Sequence, residues 1–446
     1  MTLAQAFAQA AGGRALLRNA RAPDTVLADT AGLPRAEEGL RRADILIEGG
    51  RIAAIGAAID SDAPSVDLDG GLALPAFVEL HTHLDKGQIA PRSGNPDGTV
   101  LSAVEAVRAD RTTNWNAEDI ERRFDFSLRC AFAHGTAAIR THLDSYPPQA
   151  QITWPVFARM RERWAGRIDL QGVSLAMLDD WMGDDGRALA DLTAKHGGLI
   201  GGVTRVVGPP AAQTEERILA GLERLFALAA ERGLDVDLHV DETADPEPNT
   251  LKLVAQTALA RGFKGRVTCG HCCSLALRPE AEAAATIAFV REAGLAIVTL
   301  PLVNLHLQGR GPGRTPRWRG VTPVQELAAA GVTVAASSDN TRDPFYAFGD
   351  LDALEVFRET VRICQLDLDP WPWLAAVTRT PADIMGLAGR GRLGAGGPAN
   401  LVLFRARKAD ELLARPQSDR LVLRSGRPSD AAPPDYRELD SLFGRA

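Results

Sequence analysis

Short apolar runs recur along most of this chain at nearly even intervals. They end near His81, His142, Leu175, Val203, His239, His271, Val303 and Asp339, and after a wider first gap the intervals are 33, 28, 36, 32, 32 and 36 residues. Each interval leaves room for one strand, one helix and a return to a parallel strand. The gaps read as helices: Glu215–Arg232 carries Ile218, Leu219, Leu222, Leu225, Phe226 and Leu228 at helical spacing and is closed by Gly233. Eight strands with eight crossovers is the arithmetic of a (β/α)8 barrel. An open doubly wound sheet is the rival, but its first turn would be glycine-rich, and His81-Thr82-His83-Leu84 is not.

The two ends have a different texture. Ala43–Glu48 and Arg51–Ile55 are joined by Gly49-Gly50, a hairpin signal, and Ala399–Phe404 and Leu421–Arg427 again read as strands. The expected organisation is an α/β chain: a small β-sandwich domain from residues 1–70 and 391–446, and a barrel from 71–390. Two unrelated terminal caps are the plainer alternative. The 446 residues would suggest about three domains on length alone, but α/β barrels commonly exceed that prior.

Composition narrows the function classes. A formal charge of −7 gives no reason to expect nucleic acid or an anionic membrane as partner. No run approaches the roughly 18 apolar residues of a membrane span, and the first residues lack a secretory pattern, so a cytoplasmic protein is expected. Five cysteines are too few and of the wrong parity for a disulfide framework. Nucleophile-elbow, P-loop and dinucleotide signatures are missing.

In a barrel the chemistry gathers at the C-terminal strand ends. Only eight histidines occur, and His81, His83, His239 and His271 stand at those ends, with His142 a fifth. His81 and His83 alternate, so both face one side of a strand. With His239 and the carboxylate of Asp339 they make a donor set suited to one divalent ion, Zn²⁺ or Fe²⁺, which would lower the pKa of a bound water. A single His-x-His is weak evidence, and a lone strand-end histidine is more often packing; the joint placement carries the reading. Glu242 is the expected proton shuttle, or else a cap of the following helix. His271 would polarise the substrate or steady the attacking water, or merely hydrogen-bond behind the site. Asp339 would double as general base. Asp241 is the rival for the proton-shuttle role. Cys269, Cys272 and Cys273 have thiolate-zinc spacing without its companion residues, and are expected to pack behind the sixth strand.

The stretch Pro75–Asp85, with His81-Thr82-His83-Leu84-Asp85, resembles the opening signature of the amidohydrolase superfamily. Leu300–Arg310, taken as that family's seventh-strand stretch, Arg319–Leu327 and Asp343–Gly349 resemble its cytosine deaminase-like branch. The resemblance implies a distorted (β/α)8 barrel with a small β-sandwich, one metal on His81, His83, His239 and Asp339, and proton transfer by Glu242 with His271 at the attacking water. It implies a small heterocyclic substrate and a homo-oligomer. No Lys or Glu ends the fourth strand at Gly201–Thr204 to bridge a second metal, and Lys86 is expected in a structural ion pair.

Substrate is where the chain departs from cytosine deaminases. The glutamine by which those enzymes hold the pyrimidine falls here on Met177, and the residue after the metal-binding aspartate is Asn340. Ser338–Asp343 and His83–Lys86 resemble N-isopropylammelide amidohydrolases more closely. Met177, Arg205, Asn340 and Phe345 form the expected substrate-binding set, with a surface ion pair the alternative for Arg205. The expected activity is deamination of a cytosine-like pyrimidine or related amino-heterocycle. The alternatives are removal of an alkylamine from an aminotriazine, opening of a cyclic amide, or a non-catalytic scaffold.

Overall fold

The structure, a computed structural model, describes residues 14–37, 39–311 and 313–444. The chain divides into two compact units, residues 1–79, 129–138 and 352–433, and residues 80–128, 139–351 and 434–446.

In the first unit β1 (Arg14–Pro23), β2 (Leu40–Glu48), β3 (Arg51–Gly56) and β4 (Ser65–Asp67) form a sheet in the order β3-β2-β1-β4. Gly49 and Gly50, at φ 56° and 78°, turn β2 into β3 as the hairpin signal predicts. Ile45, Ile47 and Ile52 are fully buried, which fixes the register against one-residue slips. β5 (Ala73–Pro75) pairs instead with a strand from the far end of the chain, β14 (Leu401–Leu403), and the sheet continues through β15 (Leu421–Arg424) to β16 (Arg427–Pro428). The unit takes in residues beyond the expected 391 boundary. Asp352 caps the helix Ala353–Ile363 through the Leu354 amide and receives Arg420 at 2.7 Å, which ties that helix to the β14–β15 connection.

The strands expected of the barrel lie mostly in the second unit, with Phe77–Glu79 and Thr136–Ala138 assigned to the first. β6 (Phe77–Thr82), β7 (Thr136–Asp144) and β8 (Asp169–Leu175) form one sheet. β9 (Ile200–Val203), β10 (Val236–Val240), β11 (Val267–His271), β12 (Ala296–Thr299) and β13 (Thr333–Ala336) form another, parallel throughout. Isolated parallel bridges, Val173 with Leu199, Met177 with Val203, and Thr82 with Asp339, join the two sheets at both edges. β7 and β10 are buried along their whole length, the near-continuous burial of parallel strands covered on both faces. Helix Glu215–Arg232 has the expected bounds, opened by the Thr214 hydroxyl and closed by Gly233 at φ 62°, with Ile218, Leu222, Leu225 and Phe226 buried.

Two boundaries differ from the sequence reading. The seventh strand ends at Thr299, and Val303 lies in the helix Pro301–Leu307. Pro301 is the reason: at the first helical position its missing N–H costs nothing, and its fixed φ starts the turn. The Leu300–Arg310 stretch is therefore mostly helix. β13 stops at Ala336, and Asp339 follows it at φ 64° on a bridge to β6. Among the described residues no helix is long and apolar enough to cross a membrane.

Candidate active site

His81 and His239 are the penultimate residues of β6 and β10, His271 the last of β11, and His83 follows β6. Local geometry aims them. Asp241, His271 and Asp339 all adopt left-handed backbone at φ 50°, 69° and 64°, uncommon for residues with a Cβ. The Asp339 amide donates to the His81 carbonyl at 2.9 Å and Thr82 Oγ1 donates to the Asp339 carbonyl at 2.8 Å, which fixes the carboxylate beside β6. Gly270 makes room for His81: a Cβ there would lie 3.0 Å from the ring.

Asp339 Oδ1 lies 3.1 Å from His83 Nε2 and 3.6 Å from His81 Nε2, and His83 Nε2 lies 3.3 Å from His239 Nε2. One ligand atom from each of these four buried residues falls within 4.8 Å of the others, so the group can hold a divalent metal. The chemistry of the donors fits. Burial, and then the charge of neighbouring groups, holds His81, His83 and His239 well below the usual imidazole range, so their nitrogens keep the lone pairs that a cation needs.

Glu242 stands beside this group, its Oε1 3.6 Å from His271 Nδ1. Burial pushes its carboxyl up to about 7, against the pull of Lys86 and Arg205. The same His271 nitrogen lies 3.0 Å from Asn304 Nδ2 and 4.0 Å from Asp339 Oδ2, and burial drives His271 down to about 3. The following helix is capped by Asn249, which accepts from the Lys252 amide, and the Asp241 carboxylate accepts from the Thr250 and Leu251 amides. The cysteines of β11 and its following turn are buried, and burial holds Cys269, Cys272 and Cys273 well above the usual thiol range, as protonated packing groups.

Lys86 is buried with its Nζ 3.4 Å from Asp144 and 5.2 Å from the centre of the Phe345 ring. Asp144 also takes Arg111 at 2.7 Å, and its amide donates to Asp85. Burial would lower the lysine, but Asp144, Asp85, Asp343 and Asp339 outweigh it and raise it. Burial and the charge of Asp144 push Asp85 up to about 7.

The expected substrate residues are scattered among several tasks. Met177 is half-buried after β8, and Arg205 is exposed near the end of β9; the Leu178 amide donates to the Arg205 carbonyl, so these two adjoin. Asn340 is buried with its amide 2.6 Å from Asp343, which also accepts from the Phe345 amide. Its polar group is engaged within its own turn. The fourth strand lacks a ligand for a physical reason: a Cβ on Gly201 would lie 2.3 Å from the Asp237 carbonyl, and one on Gly202 2.4 Å from that of Ala176.

Sequence reasoning missed Asn304, Asp343 and a buried group around His142. Arg140 Nη1 donates to Asp237 Oδ2 at 2.7 Å, and Asp237 Oδ1 lies 3.6 Å from His142 Nε2. A signal was present, since Arg140 and Asp237 each stand two residues before an inward histidine and share its face.

Residues 175–429 match the model of the amidohydrolase family. The chain is 51% identical over 436 residues to a pterin deaminase of Rhizobium rhizogenes, covering 97% of each chain. It is 28% identical over 319 residues to N-isopropylammelide isopropyl amidohydrolase of a Pseudomonas species, covering 70% of this chain and 74% of that one. A crystal structure of 5-methylcytosine deaminase from Klebsiella pneumoniae, liganded with 5-fluorocytosine, superposes with a TM-score of 0.79 at 26% identity, covering 94% of this chain and 98% of that one. With more than half its length matched, and one relative half identical across nearly all of it, the chain belongs to the amidohydrolase family, as a hydrolase of carbon–nitrogen bonds in heterocycles.

Proposed function

We propose that this enzyme is a metal-dependent deaminase whose substrate is a pterin, replacing the ring amino group by oxygen and releasing ammonia. The observation that carries the choice of ring is the 51% identity, across 97% of both chains, to a pterin deaminase. The cytosine-like ring expected from sequence remains chemically close, because both substrates carry an amino group on a carbon joined to ring nitrogen in an oxo-substituted pyrimidine ring. The departures at Met177 and Asn340 fit a ring other than cytosine, since a thioether cannot replace amide hydrogen bonds.

The fold is read as a closed, distorted (β/α)8 barrel with a β-sandwich from both termini. The bridges at both sheet edges and the pairing of β5 with β14 support this. The metal is assigned to His81, His83, His239 and Asp339, and neutral imidazoles with one carboxylate suit Zn²⁺ or Fe²⁺. When bound, the ion supplies Lewis acidity at the water and the reacting carbon. Glu242, poised near neutrality, takes a proton from the water and delivers it to the leaving nitrogen. His271 stays neutral, its Nδ1 held by Asn304, and the ring flanks the attacking water between Glu242 and Asp339. Water and the amino-substituted carbon thus become a carbonyl and ammonia, with every proton accounted for.

Ammonia release and ultraviolet spectra from metal-loaded protein test the reading against pterin, 5-methylcytosine and N-isopropylammelide. Pterin should be turned over with the highest kcat/KM. Preference for 5-methylcytosine would restore the pyrimidine reading, and isopropylamine release from the triazine would replace deamination by dealkylation. Without turnover of any of the three, the proposed reaction fails.

A further inference from the structure

His142 takes no part in the chemistry above, yet it lies against it. Its ring is fully buried, 4.0 Å from the centre of His81 at 37° and 4.6 Å from that of His239 at 87°. Neither of its nitrogens has a hydrogen-bond partner, and neither does Asp237 Oδ1, 3.6 Å from His142 Nε2. Unpaired polar atoms this deep are costly, so a buried ring that leaves two of them needs a reason. The other Asp237 oxygen is taken by Arg140, which is held in turn by Gln171 at 3.1 Å and Thr268 at 3.3 Å. Alternation along β7 and β10 puts Arg140 and Asp237 one layer below His142 and His239.

Resting on the ligand assignment above, we infer that Arg140, Asp237 and His142 form a positioning group: Asp237 orients the His142 ring, and that ring holds His81 in place toward His83 and Asp339. The packing is two-sided. Gly270 allows the strand β11 to approach one side of His81, and His142 covers another. Rotation of His81 away from the shared ligand position is blocked only while both are present. His142 Nε2 faces Asp237 Oδ1 at 3.6 Å, and Arg140 anchors the carboxylate by its other oxygen. A second metal ion on His81, His142 and Asp237, whose ligand atoms also lie within 4.8 Å of one another, is the competing use of these residues. The guanidinium 2.7 Å from Asp237 already occupies that carboxylate with positive charge and disfavours it.

The test is Zn²⁺ affinity by chelator competition, with the visible spectrum of the Co²⁺-loaded protein, for wild type, His142→Ala and His81→Ala. Groups that orient metal ligands typically change affinity by roughly 10–100-fold when removed. His142→Ala should weaken Zn²⁺ by that factor, alter the Co²⁺ bands and still bind one ion per chain at saturation. His81→Ala should lose the ion; if it does not, the ligand assignment fails rather than the positioning. Unchanged affinity and spectrum in His142→Ala overturn the inference, as does a second ion in the wild type that this variant loses. Should His142→Ala not fold, His142→Gln keeps a hydrogen-bonding group there, with weaker Zn²⁺ binding and altered Co²⁺ bands again expected.

Discussion

On one flank of the site His81, His83, His142, His239 and His271 face one another as neutral rings, while on the other Lys86 and Arg111 stand among Asp85, Asp144 and Asp343. Both flanks are buried, and burial acts on them in opposite ways. The imidazoles answer it by giving up charge, which leaves lone pairs free to receive a cation. Lys86 and Asp144 answer it by pairing, which keeps their charges. The lesson is that one flank is prepared for an ion from outside and the other supplies its own counter-charges. Glu242 belongs to neither: it is half-buried, 3.6 Å from the neutral His271, and desolvation pushes its carboxyl up to about 7.

Removing that middle group should have the largest effect. Glu242→Gln keeps the shape and removes the titration, so kcat should fall by roughly 10²–10⁴-fold while metal content stays at the wild-type level. Steady-state kinetics with metal analysis checks this, and a lost metal would make Glu242 a ligand instead.

Breaking the paired flank comes next. Lys86→Met leaves Asp144 with Arg111 alone and Asp85 beside an uncompensated charge, and removing one partner of a buried pair costs about 3–5 kcal/mol. Chemical denaturation should report a loss of that order. Little change would mean that Arg111 alone keeps the flank neutral.

The imidazole flank gives a pH dependence of the opposite kind. Folded-state values below 6.5 mean that the unfolded chain takes up protons first as pH falls. Stability of the metal-free protein is therefore fully present above about pH 6.5 and is lost below it, each ring contributing about 1.4 kcal/mol per pH unit down to its own folded pKa. Thermal unfolding from pH 7.5 to 5 should show this slope, and bound Zn²⁺ should shift the curve to higher temperature at neutral pH and be released on acidification. A flat profile would mean that the rings protonate without resistance.

The smallest effect belongs to Arg205. Exposed charges act weakly, but this one lowers the Glu242 pKa, so Arg205→Ala should move the acid limb of the kcat/KM profile upward by less than about one pH unit. A large rise in KM instead would restore Arg205 to the substrate-binding role expected from sequence.

How much of this was legible in the sequence follows from where the residues lie. Strand-end histidines could be read because the βα rhythm sets their position and the barrel layout gives that end a meaning. Helix Glu215–Arg232 was readable from its caps. Val303 was misread because an apolar run does not say where a strand becomes a helix, although Pro301 was a warning. The contact that holds Asn340, its amide donating to Asp343 within one turn, was not legible, because spacing does not show how that turn folds. The Arg140–Asp237–His142 group was overlooked because Asp237 lies nearly a hundred residues from the other two in chain, and only the alternation within β7 and β10 hinted at a shared layer.

The central claim, a single metal site built by His81, His83, His239 and Asp339, is tested most directly by metal stoichiometry. Wild-type protein loaded with Zn²⁺ and freed of excess should hold one equivalent per chain, and His239→Ala should hold almost none while remaining folded by circular dichroism. One equivalent retained in folded His239→Ala would contradict the site.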